Sequence, residues 1–417
     1  MSSAVLQKSI VWVSLCAMLL FPNAFAQDDN FEDDIEVMQG TAANTIIENV
    51  WVSGGTFLSG QERENALRLT GDIVVSFDDV SVEKRTGDTD SANDSNLFGL
   101  NAGLLITDGA QLNIKDSSIS TNAVGGNALF VHENGSAVAL NATTVHTQQD
   151  LSSGLHIAFG GSIAADKPKV ETWGNSSAAI RIDNGGGNHT ANGGSYITNG
   201  SASPAIYTTG DVFAQNATLT ANNSEVFTLL DRASLSLENC TIKRAGIGSD
   251  LSTERAVTIA SSSAVPGASE KSRLSITGGR MSLSSVSLFY VDHTPCEIFL
   301  KNVKITGGNG RILSVVDSPD SAFGGDCTLT MERQTLEGNI IVEEASTLTL
   351  NLTSRSRLVG AINPDGEGGD VHVSLSNDSR WALTGNTYIT TFTGNRKHVV
   401  RNGYTLHIAQ PEEQPAQ

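Results

Sequence analysis

Arg181, Asp183 and His189 are the residues of this 417-residue chain closest to a catalytic grouping, a cation, a carboxylate and an imidazole within one short stretch. On one strand face they would suit a lyase, where a carboxylate group holds a cation and an Arg or Lys removes a proton; a hydrolase needs two carboxylates across the scissile bond. Asp166 and Lys167 stand one repeat earlier, but no second carboxylate falls at the equivalent repeat position. The three read as surface charge. The expectation is no catalytic residue, with Arg181, Asp183 and His189 kept as the enzymatic alternative.

His132, His146, His156 and His189 recur at repeat-like spacing but in different phases, so they are not expected to converge on a metal. Gly324-Gly-Asp326 and Gly366-Glu-Gly-Gly-Asp370 have the texture of calcium-binding turns without strict repetition, and tight turns account for them. No cofactor is expected, calcium being the one alternative. The 11 Asn-x-Ser/Thr triplets, Asn134, Asn141, Asn216 and Asn239 among them, follow from a composition rich in Asn, Ser and Thr and read as surface turns.

The elements that must position these residues repeat along the chain. A short apolar strand, a Gly, Asp or Asn turn and a second alternating strand recur, as in Ala128-Leu-Phe-Val131 followed by Ser136-Ala-Val-Ala-Leu-Asn-Ala-Thr-Thr-Val145. Equivalent starts lie at Gly103, Gly154, Ala179, Ala205, Val226, Ala256 and Val286, about 21 to 30 residues apart, the period of solenoid coils. Gln111-Leu-Asn-Ile-Lys-Asp-Ser-Ser-Ile119 and Ser234-Leu-Ser-Leu-Glu-Asn-Cys-Thr-Ile242 share the second-strand pattern. Alternation sends Leu and Ile inward and Ser, Asn and Lys outward. One coil cannot bury its apolar row, but stacked coils superpose the rows into a continuous core. The fold expected is all-β: a single-stranded right-handed parallel β-helix over 40–409, with capping sequences over 40–75 and 380–409.

Residues 1–26 read as a signal peptide, with Lys8, an apolar Ile10 to Phe21 run and Ala24-Phe25-Ala26 ahead of cleavage after Ala26. An acidic disordered stretch (27–39) and a polar disordered tail (410–417) flank the solenoid. Removing Lys8 from 26 basic side chains leaves 25 against 45 acidic ones, a charge of −20 that disfavours nucleic acid and anionic lipid as partners. No integral membrane segment is expected. The expected location is outside the inner membrane: secreted, at the cell surface or periplasmic. Of the cysteines, Cys296 and Cys327 fall at the same position of neighbouring coils, close enough for a disulfide or for two stacked thiols, while Cys240 is expected to be unpaired.

The Leu-x-Leu-x-Asn-x-Thr-Ile coil, with Trp381-Ala-Leu-Thr-Gly-Asn386 and Asn402-Gly-Tyr-Thr-Leu406 near the end, resembles the passenger segments of bacterial autotransporter adhesins and related pectin-lyase-like β-helix proteins. The resemblance covers roughly residues 100–409. It departs from the family in that polar Gln410 to Gln417 stands where a translocator barrel would follow, which puts self-transport in doubt. It also departs from that fold's polygalacturonase-like hydrolases, since Asp78-Asp79 has no Gly-His-Gly to accompany it.

What the resemblance and the polar face together imply is an adhesin-like protein binding glycans or host or matrix molecules along an extended surface. A polysaccharide lyase or hydrolase and a structural matrix protein are the alternatives. The segments 81–96 and 184–200 are expected to leave the cylinder and carry binding, so deleting 87–94 should impair capture with the fold intact.

Overall fold

A computed structural model describes residues 38–246, 254–262, 271–318 and 323–409. The expected signal peptide (1–26), most of the acidic stretch 27–39 and the tail from 410 lie outside them. The described chain is a right-handed parallel β-solenoid of about 13 turns. Three long sheets of 12, 14 and 10 strands run its length, and a four-stranded sheet takes over the third side near the C-terminal end. Among the described residues no helix is long and apolar enough to cross a membrane.

One rung shows why the sequence folds this way. Leu129–His132 joins the 12-stranded sheet, Ala137–Asn141 the 14-stranded sheet and Thr144–Thr147 the 10-stranded sheet. In the second strand Val138 and Leu140 point inward and Ala137, Ala139 and Asn141 outward. The next rung matches it residue for residue, Val138 against Ile163 and Leu140 against Ala165. Repetition of this register builds one apolar core from Ala66 to Val399.

The corner between the 14- and 10-stranded sheets is made by one left-handed residue. Asp79, Asp116, Ala142, Lys167, Gly193, Asn216, Asn239, Gly278 and Asn302 occupy it, and Arg333 and Ser354 hold the equivalent corner to the four-stranded sheet, all with φ from 44° to 67°. From Asp79 to Arg333 their N–H groups stay in the ladder, Ala142 donating to Asp166 O and Asn216 to Glu238 O, each at 2.9 Å. Gly, Asn and Asp adopt this conformation with least strain, which explains the polar residue recurring after each second strand. Ala142, Lys167, Arg333 and Ser354 lack that advantage.

Parallel pairing already begins at Thr41–Ala42 and continues to Leu406–Ile408, so both sequences expected to cap the solenoid are irregular rungs of it. At the C-terminal end Trp381 is fully buried and its Nε1 donates to Gly360 O at 3.0 Å. Residues 184–200 do not leave the cylinder. The glycines there are turn residues around two ladder strands, Asn188–Asn192 and Ser195–Thr198.

The excursion that does leave it, after Ser81–Lys84, carries the short helix α1 (Ala92–Phe98), which is capped by the Ser91 side chain and Gly99 at φ 75°. It folds back on the outer face of the 12-stranded sheet. Asn127 Nδ2 donates to Ser95 O at 3.0 Å and Asn184 Nδ2 to Asn96 O at 3.4 Å. Leu105, Phe130 and His156 point outward from three successive rungs, yet all are fully buried. The 87–94 segment leads into this cover and is itself bonded to the body of the protein, Thr89 N donating to Val124 O at 3.0 Å and Val124 N to Asp88 Oδ1 at 2.9 Å.

Cys296 and Cys327 are register partners on adjacent strands, fully buried, and both are free thiols. The disulfide considered for them is not formed. Parallel in-register strands hold equivalent side chains at about the strand spacing, 4.8 Å, whereas a bridge draws the Cβ atoms to roughly 3.8 Å. The Cys327 hydrogen bond and burial together push the Cys296 thiol well above its usual range. Cys240 is buried after the left-handed Asn239, with its Sγ 3.5 Å from Ala214 O.

Replacing Ala142 with Gly should raise the unfolding free energy by ~0.5–1 kcal/mol, because relief of left-handed strain exceeds the added chain entropy. Urea titration measures it. Deleting 87–94 should instead lower the urea midpoint, since it uncovers Phe130 and His156; an unchanged midpoint would return the segment to the status of a free loop.

Candidate functional site

The outward residues of the 14-stranded sheet form straight rows, because each strand pairs with the next without slippage. One row reads Trp51, Ser76, Asn113, Ala139, Ala164, Thr190 and Phe213. Its middle members are small and its ends aromatic, so the row sinks into a trough of about 930 Å³ between Trp51 and Phe213. Six strand spacings of about 4.8 Å set the trough length at roughly 29 Å. Trp51 is 66% exposed, which leaves its ring free to pack against a ligand.

A second row, two residues further along each strand, borders the trough with polar groups: Lys115, Asn141, Asp166, Asn192 and Gln215. Asn192 Nδ2 donates to Asp166 Oδ1 at 2.7 Å, and Lys115 pairs with Asp78 at 2.8 Å. These bonds orient the side chains before any ligand arrives, while Asn141 and Gln215 offer both donors and acceptors.

The carboxylates of this second row are widely spaced. Asp78, Asp166 and Glu238 lie in the same row, each three rungs from the next. Three spacings make about 14 Å, beyond the roughly 5–9.5 Å that separates the carboxylates of a glycosidase.

The three residues kept as the enzymatic alternative do not meet. Arg181 and Asp183 share the strand Ile180–Asp183 and close on each other at 2.7 Å, largely buried, with the Arg181 guanidinium 4.8 Å from the centre of the Tyr207 ring. His189 sits in the following strand but on its inner side, 1% exposed, between Ile163 and Val212. It faces the core, with its ring 6.2 Å from the Tyr196 ring.

The other histidines are equally dispersed. His132 and His156 lie beneath the α1 excursion, in contact with Phe159 and Phe130 respectively, and His146 faces outward on the third sheet. Among the described residues no three His, Cys, Asp or Glu side chains are placed to hold a metal ion. Asp370 of the Gly-rich turn instead accepts a bond from Thr390 Oγ1 at 3.0 Å.

Trp51 and Phe213 were not among the candidates drawn from sequence. The signal was present in the phase. Aligning the second strands puts both aromatics at the outward middle position, where the rungs between them carry Ser, Asn, Ala or Thr; Phe299 occupies the same position three rungs beyond Phe213.

Burial lowers the His189 pKa to about 3, and neither ring nitrogen has a hydrogen-bond partner among the described residues. The neutral imidazole is compatible with the core, whereas the unfolded chain protonates it below its ordinary value near 6.5. Stability from this group is therefore present above pH 6.5 and is lost as pH falls towards 3. At pH 4.5 the loss amounts to about 2–3 kcal/mol. Substituting His189→Val, which matches the flanking aliphatic column, should flatten the decline between pH 7 and 4.5 by that order. Urea unfolding at both pH values measures it, and parallel wild-type and variant profiles would refute the assignment.

Comparison of the chain with protein-family models, with curated proteins and with solved structures finds no match in any of the three.

Proposed function

We propose that this chain is an adhesin-like binding protein that takes an extended glycan along the trough between Trp51 and Phe213. The observation that supports this reading is the composition of the row: aromatics at the ends, small residues in the middle and a parallel row of amide and carboxylate groups alongside. A sugar ring has an apolar C–H face and a rim of hydroxyls. The face packs against an aromatic ring, and the rim exchanges hydrogen bonds with groups that both donate and accept. Binding at several successive sugars suits a site about 29 Å long whose repeat is set by the strand spacing.

The chain's acid surplus of 19 charges accords with an exported surface that repels nucleic acid and anionic lipid. Export itself, to the cell surface or the medium, belongs to the same proposal and rests on the N-terminal sequence. The likeness to autotransporter passengers remains one of repeat style.

A glycan array followed by calorimetry on the strongest ligand tests the proposal. Trp51→Ala and Phe213→Ala should each weaken binding about tenfold, ~1.4 kcal/mol. Trp173→Ala is the control, since Trp173 is 54% exposed but lies outside the trough. Equal loss from the Trp173 variant, or none from the other two, would remove the trough as the site. Release of unsaturated or newly reducing ends from the bound glycan would replace binding by a lyase or hydrolase.

A further inference from the structure

Beside the Phe213 end of the trough, at the N-terminal edge of the same sheet, a second depression of about 670 Å³ is lined by Gly185, Gly186 and Gly187 with Arg232, Lys271 and Arg273 around them. Three cations about one depression run against a chain with 45 acidic and 26 basic side chains. Among the described residues Asp211 is the one carboxylate in the lining. Lys271 and Arg273 both reach Glu297, at 3.2 and 3.4 Å, which steadies them and offsets one of their two charges. The Arg232 guanidinium takes no carboxylate partner among the described residues. Counted with Glu297, the described lining keeps one positive charge.

The backbone adds donors. Gly185, Gly186 and Gly187 have φ of 88°, 77° and 154°, a path that side chains disfavour. The carbonyls of Gly186 and Gly187 are used in the ladder, accepting from Gly160 and Asp211 at 2.9 and 3.0 Å. The three N–H groups donate to no acceptor among the described residues. A Cβ on Gly186 would stand 3.9 Å from the Arg232 Nη2, so the glycine keeps the space before the guanidinium open. Free peptide N–H groups beside a planar guanidinium fork suit an oxyanion, which only accepts hydrogen bonds.

We infer that this depression receives one oxyanionic substituent, a sulfate or a carboxylate, carried by the sugar seated at the Phe213 end of the trough. The inference rests on the glycan reading above. Continuity supports it, because Asp211 and Phe213 are two residues apart on one strand, about 7 Å. A uniformly charged polymer would meet the acid surplus elsewhere on the molecule, so an isolated charged group is the better fit.

Inorganic sulfate is the first probe, titrated into the full chain at constant ionic strength while the amide signals of Gly185, Gly186 and Gly187 are followed by NMR. Saturable shifts are expected. They should vanish in Arg232→Ala and persist in Arg280→Ala, an exposed cation outside the depression. Absent or non-saturating shifts, or the same shifts in Arg232→Ala, would overturn the site.

Neutral, carboxylated and sulfated forms of one oligosaccharide then separate the two readings. The favoured charged form should bind at least tenfold tighter than the neutral one in the wild type and equally in Arg232→Ala, and its identity tells sulfate from carboxylate. A neutral oligosaccharide that binds with no gain from charge would sink the anion pocket and leave the trough standing. Saturable sulfate binding without any oligosaccharide binding would sink the trough, and with it the assignment of the anion to a sugar.

Discussion

The structure depends on one constraint, the residue-for-residue hydrogen bonding of each strand to its equivalent one rung away. Once Val138 lies over Ile163, every neighbour of Val138 is committed as well, to the core column or to an outward row. A slip of one residue would turn Leu140 and its equivalents to solvent and Asn141 and its equivalents into the core. The left-handed corner residue protects that register by turning the chain at a fixed point while its N–H remains in the ladder. Core, corners and outward rows are thus consequences of the same pairing.

The same constraint decides what was legible in the sequence. Strands such as Gln111–Lys115 announce themselves by alternation, and the polar residue after each second strand marks the corner, so the solenoid follows from periodicity alone. Polar side chains that take apolar positions were harder to read. His189 occupies the column of Ile163 and Val212, yet its chemistry invites grouping with Arg181 and Asp183 outside. Ser177 looks like a surface residue, but it is fully buried, and its Oγ accepts from Ser152 N at 2.9 Å in an internal ladder. Phase identifies these positions better than residue type does.

The α1 excursion is hard to recognise in the sequence for a related reason. Its Gly, Asp, Ser and Asn content is that of a solvated loop, but those polar groups are spent on the body of the protein. Asp88 accepts from Val124 N at 2.9 Å, and the Asn127 side chain reaches back to Ser95 O. What called for a cover was visible elsewhere, in strands apolar on both faces. Leu104–Ile106 and Leu129–His132 are buried at every position, a pattern that a sheet with one face in water does not show.

A lattice of parallel strands also shapes the kind of ligand it can hold. Adjacent rungs offer groups about 4.8 Å apart, and groups further apart come only in multiples of that step along a row. Two acids that must flank one bond at a set distance are hard to place on such a lattice without a loop to break it; Asp78, Asp166 and Glu238 fall at three-rung intervals instead. A chain of similar units meets no such difficulty, since each rung presents a comparable contact and the ends need only be marked. On the proposed reading, Trp51 and Phe213 mark them. Because the rows are fixed by the ladder before a ligand arrives, little ordering remains to be done on binding, and modest contacts summed over six spacings can hold an extended molecule.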